Sequence, residues 1–169
     1  MSFEQPDTFD MSTPAAKREA YAMLRAQTEA LLHGERDWLA NLAQFAALVY
    51  GTVPALNWAG FYMARDNEEL VLGPFQGKVA CVRIPYGRGV CGTAAATREV
   101  QVVPDVHAFP GHIACDSASN SEIVVPLIHA GHVLGVLDLD SPQLARFDEI
   151  DAQGLQAMVD VLEAGTDWN

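Results

Sequence analysis

Two apolar runs, residues 122–128 and 133–140, constrain the fold most strongly. Ala130 and Gly131 lie in the turn between them. Apolar runs joined by a short turn that contains glycine are typical of an antiparallel β-hairpin. An aromatic-rich run from residue 57 returns through a second hairpin. The sequence therefore predicts a mostly antiparallel sheet of about six strands, at 57–63, 69–72, 78–84, 100–103, 122–128 and 133–140.

Apolar residues at helical spacing predict helices before and after these strands. One helix is predicted after an N-cap and proline at residues 13–14 and continues to residue 33, and a second covers 38–51. A short helix of small residues is predicted at 90–97. A terminal helix begins in an acidic turn that suits its dipole, with Asp148, Glu149 and Asp151. We expect an α+β fold in which the N-terminal helices and the C-terminal helix pack on one face of the sheet.

Composition limits the domain count and the class of partner. The 169 residues, half of them apolar, suffice for one core, so we expect a loose arm at 1–12 and a single domain at 13–169. A net charge of −12, from 22 acidic and 10 basic residues, disfavours DNA, RNA and anionic lipid as partners. No signal peptide or membrane-spanning run is visible, so we expect a cytoplasmic protein.

Two glycine-rich segments resemble phosphate-binding motifs but fail their structural requirements. The pattern G-x-G-x-x-G at 87–92 opens a helix that is too short for a parallel crossover. The segment 73–78 has too short a spacing for a P-loop and lacks the hydroxyl residue after its lysine. We expect these glycines to serve a tight turn and close packing.

All three cysteines, Cys81, Cys91 and Cys115, lie between residues 81 and 140. An odd number of cysteines in a reducing compartment argues against a structural disulfide framework. Cys115 lies in a long loop at 104–120, and long loops in compact domains are usually functional or disordered. We therefore consider it a nucleophile. The alternatives are an inert buried thiol, a hydrolase with His107 or His112 as base, and a zinc site that includes His112, although no Cys-x-x-Cys pair supports zinc.

Three acidic residues are predicted to converge near this loop. Alternate residues of a strand face the same side of a sheet, which places Asp138 together with Asp140. Glu122 begins the paired strand and is predicted to lie across from them. Such carboxylates repel one another unless a proton or cation is bound, although a solvent-facing strand would carry the same pattern. Trp58 and Tyr62 also share one strand face, where they either pack in the core or line an apolar slot.

Six motifs occur between residues 38 and 163: Asn-Trp-Ala-Gly-Phe-Tyr at 57–62, Leu-Gly-Pro-Phe-Gln-Gly at 72–77, Gly-Val-Cys-Gly at 89–92, Phe-Pro-Gly-His-Ile-Ala-Cys-Asp at 109–116, Ser-Glu-Ile-Val-Val-Pro at 121–126 and Gly-Val-Leu-Asp-Leu-Asp-Ser at 135–141. Together they resemble the free methionine-(R)-sulfoxide reductases, which are GAF-fold enzymes. The resemblance implies a six-stranded GAF sheet, a homodimer and reduction of free methionine (R)-sulfoxide. It implies no metal or organic cofactor, with thioredoxin as external reductant.

The resemblance also implies roles for individual residues. Cys115 is the nucleophile, and Cys81 and Cys91 serve recycling, with Cys81 favoured as the resolving thiol. Glu122, Asp138 and Asp140 bind substrate or supply protons, and Trp58 and Tyr62 line the pocket. The acid that protonates the sulfoxide oxygen stays open, as does the group that binds the substrate carboxylate. Candidates for that group are loop amides and the serines Ser117, Ser119 and Ser121.

A function from another class is a GAF module that binds a small ligand, or senses redox state, without turnover. Reductive loss of the R-sulfoxide, compared with a Cys115→Ser variant, distinguishes the two functions.

Overall fold

The computed structural model describes residues 7–168. Its helices are α1 (Pro14–Leu31), α2 (Trp38–Thr52), α3 (Gly89–Thr97) and α4 (Glu149–Gly165), with a short 3₁₀ helix at Val106–Ala108. Its strands are β1 (Trp58–Arg65), β2 (Glu69–Gly77), β3 (Arg83–Pro85), β4 (Gln101–Val103), β5 (Ser121–His129) and β6 (His132–Ser141).

The strands form one sheet in the order β3-β2-β1-β6-β5-β4, and each neighbouring pair is antiparallel. The β5–β6 hairpin predicted around Ala130 and Gly131 is present, with His129 opposite His132. β6 also pairs with β1, so this hairpin joins the two halves of the sheet. The predicted α+β fold with six strands is confirmed.

Three helices cover one face of the sheet. α2 contacts β1 and β2, α4 contacts β5, and α1 packs mainly on α4. Side chains between these helices and the sheet form a core that includes Phe45, Phe61, Leu137 and Met158, each fully buried. This face confirms the predicted packing of the N-terminal and C-terminal helices.

α3 lies on the opposite face, where it contacts β5 and β6. Its glycines allow close approach: a Cβ on Gly92 would lie 2.3 Å from the backbone oxygen of Pro85. Gly89 begins the helix with a φ of +61°, a conformation that suits glycine. The glycines at 87–92 therefore provide a turn and close packing, as the sequence analysis expects.

The strand predicted at 78–84 is largely wrong, because only Arg83–Pro85 pair as β3. β2 continues instead to Gly77, which lies opposite Trp58 of β1, and the chain then leaves the sheet. Residues 78–82 form a loop held to β2 by a hydrogen bond from the Leu72 N–H to the Val82 carbonyl. A short apolar run predicts a strand whether or not it pairs with a neighbour, because periodicity carries no information on which sheet edge is available for pairing.

Half of the predicted arm, residues 1–6, lies outside the described residues. Residues 7–12 lack regular secondary structure but contact the domain, because the Phe9 N–H donates to the Thr52 carbonyl and Met11 is buried. Within residues 7–168 no helix is long and apolar enough to span a bilayer.

Candidate active site

The register of three strands brings the predicted acids and aromatic residues to the face covered by α3. Trp58 of β1 lies opposite Asp140 of β6, and Asp140 lies opposite Glu122 of β5. Asp138 is two residues earlier in β6 and faces the same side. These side chains line a cavity between the sheet, α3 and the loop at 104–120. We call Glu122, Asp138 and Asp140 the acid cluster.

Aromatic rings form one wall of the cavity. The ring of Trp58 stacks on Tyr62 at 5.8 Å and on Phe75 at 5.2 Å between centroids. Gly60 allows this arrangement, because a Cβ there would lie 2.3 Å from the Cβ of Phe75. Both polar tips bind the 78–82 loop: the Trp58 indole N–H donates to the Lys78 carbonyl at 3.1 Å, and the Tyr62 hydroxyl donates to the Cys81 carbonyl at 3.0 Å.

Cys115 is joined to Cys81 by a disulfide at the mouth of this cavity. Cys81 belongs to the 78–82 loop, so the inference that a strand would restrict its freedom is wrong. Cys91 is a free thiol and is buried at the beginning of α3. Residue spacing alone does not choose between Cys81 and Cys91 as the partner of Cys115, and the family resemblance favours Cys81; the structure contains the Cys81–Cys115 disulfide.

Asn57 holds the Cys115 loop over the cavity. Its Nδ2 donates to Oδ2 of Asp116 at 3.1 Å and to Oγ of Ser119 at 3.0 Å. Asp116 also accepts a hydrogen bond from the Ala118 N–H. The Ala118 hydrogen bond and that from Asn57 lower the pKa of Asp116, so this carboxylate is a fixed anion beside the disulfide.

The acid cluster forms no ion pair with a lysine or arginine side chain among residues 7–168. Glu122 and Asp138 are 6% and 5% exposed, and Oδ1 of Asp138 has no hydrogen-bond partner among the described residues. Burial raises the pKa of Asp138 to about 6. Burial and the charges of neighbouring acids raise the pKa of Glu122 and of Asp140 well above the usual range. The cluster therefore retains protons near neutral pH.

Two further groups border the acid cluster. Sγ of Cys91 lies 3.9 Å from Oε1 of Glu122, and burial followed by the charges of Asp138 and Glu122 raises the pKa of this thiol well above its usual value. Nε2 of His112 lies 3.8 Å from Oε2 of Glu122. Burial and the neighbouring His107 lower the pKa of His112. The histidine is therefore neutral near pH 7 and contributes no positive charge to the acid cluster.

The cluster also offers a possible set of metal ligands. One ligand atom each from Cys91, Glu122 and Asp138 lie within 4.8 Å of one another. The zinc site considered from the sequence differs, because it needs Cys81 and Cys115 as separate thiolates and these are bonded to each other. The absence of a metal cofactor stays a prediction.

The three candidate serines differ in position. Ser119 lines the cavity, whereas Ser117 is exposed on the loop outside it. Ser121 is buried and its hydroxyl donates to the Gln143 carbonyl, away from the cavity. Sequence reasoning missed two residues of the site: Asn57 as the loop anchor and Arg88 as a basic residue in the cavity wall. Asn57 begins the motif at 57–62 and Arg88 directly precedes the motif at 89–92, so their places in the motifs were the sequence signal that could have identified them.

The chain is similar to proteins of a known family over most of its length. The GAF domain family model matches residues 27–165. A free methionine-R-sulfoxide reductase of Escherichia coli is 56% identical over 155 residues, covering 90% of this chain and 93% of that protein. One of Saccharomyces cerevisiae is 44% identical over 167 residues, covering 95% and 93%.

The fold comparison gives the same result. The crystal structure of a free methionine-R-sulfoxide reductase from Neisseria meningitidis in complex with its substrate superposes with a TM-score of 0.87. It is 47% identical, and the alignment covers 96% of this chain and 95% of that one. The chain therefore belongs to the free methionine-R-sulfoxide reductase family of GAF-domain proteins.

Proposed function

We propose that this protein reduces free methionine (R)-sulfoxide to methionine, with Cys115 as the nucleophile. The observation that supports this function best is the Cys81–Cys115 disulfide beside three carboxyl groups whose pKa values are raised by burial. The names of the Escherichia coli and Neisseria meningitidis relatives supply the substrate class.

The chemistry requires a thiol and an acid in the same site. A carboxyl group of the acid cluster donates a proton to the sulfoxide oxygen, and the Cys115 thiolate attacks the sulfoxide sulfur. The bond between the oxygen and the methionine sulfur breaks as the oxygen is transferred to the Cys115 sulfur, so methionine leaves as the reduced thioether and Cys115 is oxidised to a sulfenic acid. Asp138 suits the donor role because its pKa of about 6 is close to neutrality and its Oδ1 is free to contact a ligand. Glu122 and Asp140 hold protons more tightly and remain alternatives.

Recognition of the free amino acid follows from the charge of the cluster. The α-ammonium of methionine sulfoxide can pair with these carboxylates, whereas a peptide-bonded methionine offers a neutral amide. A buried carboxylate left without its partner costs several kcal/mol, so peptide substrates are rejected. Trp58 and Tyr62 form the wall against which the methyl sulfoxide end packs.

The disulfide supports Cys81 as the resolving thiol. The Cys81 thiol condenses with the Cys115 sulfenic acid, releases water and forms the Cys81–Cys115 disulfide. Cys91 is buried and its raised pKa disfavours the thiolate, so it is the less reactive recycling candidate. Thioredoxin then reduces the disulfide by exchange. We place this cycle in the reducing cytoplasm, in a homodimer and without a metal or organic cofactor.

The test is turnover of each methionine sulfoxide diastereomer with dithiothreitol as reductant. We expect methionine from the free R form only, and none from the Cys115→Ser variant. We expect Cys81→Ser to release a single methionine per protein and then stop when thioredoxin is the reductant, while Cys91→Ser continues. Binding of the R form without any methionine release would contradict the proposal and favour the ligand-binding GAF module.

A further inference from the structure

The loop that carries Cys81 exposes apolar side chains next to the disulfide. Val79 is 88% exposed and Val82 is 61% exposed, in a chain whose other valines are mostly in the core. They flank Cys81, which is itself only partly buried. We call Val79 and Val82 the valine surface.

The backbone of this loop is fixed, so the exposure of the valines is part of the fold. The carbonyl groups of Lys78, Cys81 and Val82 accept hydrogen bonds from Trp58, Tyr62 and the Leu72 N–H respectively. Ala80, between the two exposed positions, packs against the core under α3. The loop is therefore anchored from the inside and presents its valines outward.

The sequence segment around the valine surface is basic, whereas the chain as a whole is acidic, and Lys78 is near enough to Asp116 to lower its pKa. Residues 70–98 contain four of the ten basic residues and none of the 22 acidic ones. Lys78 and Arg88 lie on either side of Cys81 in the sequence and form no ion pair among residues 7–168. The positive charge of Arg83 is neutralised by its salt bridge to Glu69. A basic, apolar patch on a protein of net charge −12 favours an acidic partner with an apolar contact surface.

We propose that the valine surface, with Lys78, is the docking site for an acidic protein dithiol that reduces the Cys81–Cys115 disulfide by attack on Sγ of Cys81. The inference rests on the proposed function, since it assigns the partner and the point of attack in the recycling step.

The exchange proceeds in two balanced steps. One thiolate of the partner attacks Sγ of Cys81, which forms a mixed disulfide and releases Cys115 as a thiolate. The second thiol of the partner loses its proton, attacks the mixed disulfide and releases Cys81, so the partner becomes a disulfide and supplies both electrons. Attack at Cys81 is favoured because Cys81 lies between the two exposed valines, whereas Cys115 lines the cavity. Attack at Cys81 also frees the nucleophile first.

The test uses thioredoxin as the protein dithiol and dithiothreitol as a small one that needs no docking. We expect Val82→Ser combined with Lys78→Glu to raise the KM for thioredoxin by about tenfold or more. Turnover driven by dithiothreitol should be unchanged. The matched controls are Leu144→Ser, an exposed leucine on another loop, and Arg18→Glu, an exposed arginine on α1. Both should leave the KM for thioredoxin unchanged.

A trapping experiment identifies the sulfur that is attacked. Thioredoxin with its second cysteine replaced by serine should form a mixed disulfide that mass mapping assigns to Cys81. A mixed disulfide at Cys115, or an unchanged KM for thioredoxin in the double variant, would overturn the inference while dithiothreitol-driven turnover still supported the proposed function. Loss of dimerisation in Val82→Ser with an unchanged KM would also overturn it, since the surface would then bind a second copy. Absence of turnover with both reductants would instead refute the proposed function.

Discussion

The protein has two clusters of carboxylates that include buried members, one on each side of the sheet, and they differ in how their charge is balanced. On the helical side, Asp151 is fully buried and binds Nζ of Lys17 at 2.5 Å, the Tyr21 hydroxyl at 2.9 Å and Nη1 of Arg146 at 3.2 Å. Asp148 also binds Lys17, at 2.8 Å. We call these residues the helix cluster. The acid cluster on the α3 side has three carboxylates that form no ion pair with lysine or arginine among residues 7–168; the neutral His112 contacts Glu122, and Arg88 lies in the cavity wall.

The difference separates a structural role from a functional one. A buried carboxylate with two cations and a hydroxyl is satisfied, and in the helix cluster these partners join α1, α4 and the segment before α4. A buried carboxylate without a cation is costly unless it is protonated or a ligand supplies the charge. The acid cluster is therefore suited to donating protons and to binding an ammonium group, at the expense of stability in the empty protein.

The largest expected effect comes from neutralising the acid cluster. Asp138→Asn should lower kcat/KM for free methionine (R)-sulfoxide by about 10²–10⁴-fold, because a proton donor and a ligand for the ammonium are lost. Its free energy of unfolding at pH 7 should stay the same or rise, since an unpaired buried charge is removed. Steady-state kinetics and urea unfolding measure the two quantities. The control is Asp160→Asn, at an exposed position on α4. A strong loss of stability in Asp138→Asn would contradict the functional role of the acid cluster, since Asp138 would then stabilise the fold as Asp151 does.

A substitution that breaks the helix cluster should lower stability and leave activity unchanged, the reverse of the effect expected for the acid cluster. Asp151→Ala leaves Arg146 and Lys17 without their shared partner and should lower the free energy of unfolding by about 3–5 kcal/mol. At temperatures where the variant stays folded, its kcat/KM should match the unmodified protein. Urea unfolding checks the first expectation, with Asp160→Ala as the control on the same helix. Destabilisation below about 0.5 kcal/mol, the size expected for a surface substitution, would contradict a structural role for Asp151.

Stability should depend on pH with opposite signs in the two clusters. Burial raises the pKa of Asp138 to about 6, so its contribution to stability is complete below about pH 4 and is lost as the pH rises through 6, by roughly 3 kcal/mol at about 1.4 kcal/mol per pH unit. Burial opposes ionisation of Asp148, but hydrogen bonds from Lys17 and Asp151 lower its pKa to about 2. Its contribution is therefore present above about pH 4 and is lost as the pH falls through 2.

Unfolding free energies measured between pH 2 and pH 8 should therefore pass through a maximum near pH 4. The loss of stability above that pH should largely vanish in a variant that combines Glu122→Gln, Asp138→Asn and Asp140→Asn. A loss that persists in this variant would show that groups outside the acid cluster cause it.

The smallest effect is expected from a single hydrogen bond of the helix cluster. Tyr21→Phe removes the donor to Oδ1 of Asp151 but leaves both cations in place, so it should cost about 1 kcal/mol of unfolding free energy. Tyr50→Phe, at a partly exposed tyrosine on α2, should cost less than about 0.5 kcal/mol. Equal effects in the two variants would show that Asp151 does not need its third partner.

The two clusters also differ in how far the sequence predicts them. Asp138, Asp140 and Glu122 come together through a hairpin with a short turn, so alternation and local register suffice to place them on one face. Asp148 and Asp151 were predicted only as acids that suit a helix dipole. Their partner Lys17 is more than 130 residues away, and local patterns carry no information on such a contact.

The cysteines show the same limit. Cys81 and Cys115 are 34 residues apart, and reasoning from spacing left their pairing open, with only the family resemblance favouring it. The predicted position of Cys81 was wrong, because the 78–84 run was predicted as a strand and Cys81 lies in a loop before β3. The exposure of Val79 and Val82 depends on where β2 ends, which three-dimensional pairing decides.

The central claim is that the acid cluster lacks a cation because the substrate brings one. The most direct test compares kcat/KM for free methionine (R)-sulfoxide with that for N-acetylmethionine (R)-sulfoxide, which has the same sulfoxide but no ammonium. We predict a loss of at least about 10²-fold for the acetylated form, since the carboxylates would remain unpaired. Equal kcat/KM values for the two compounds would contradict the claim.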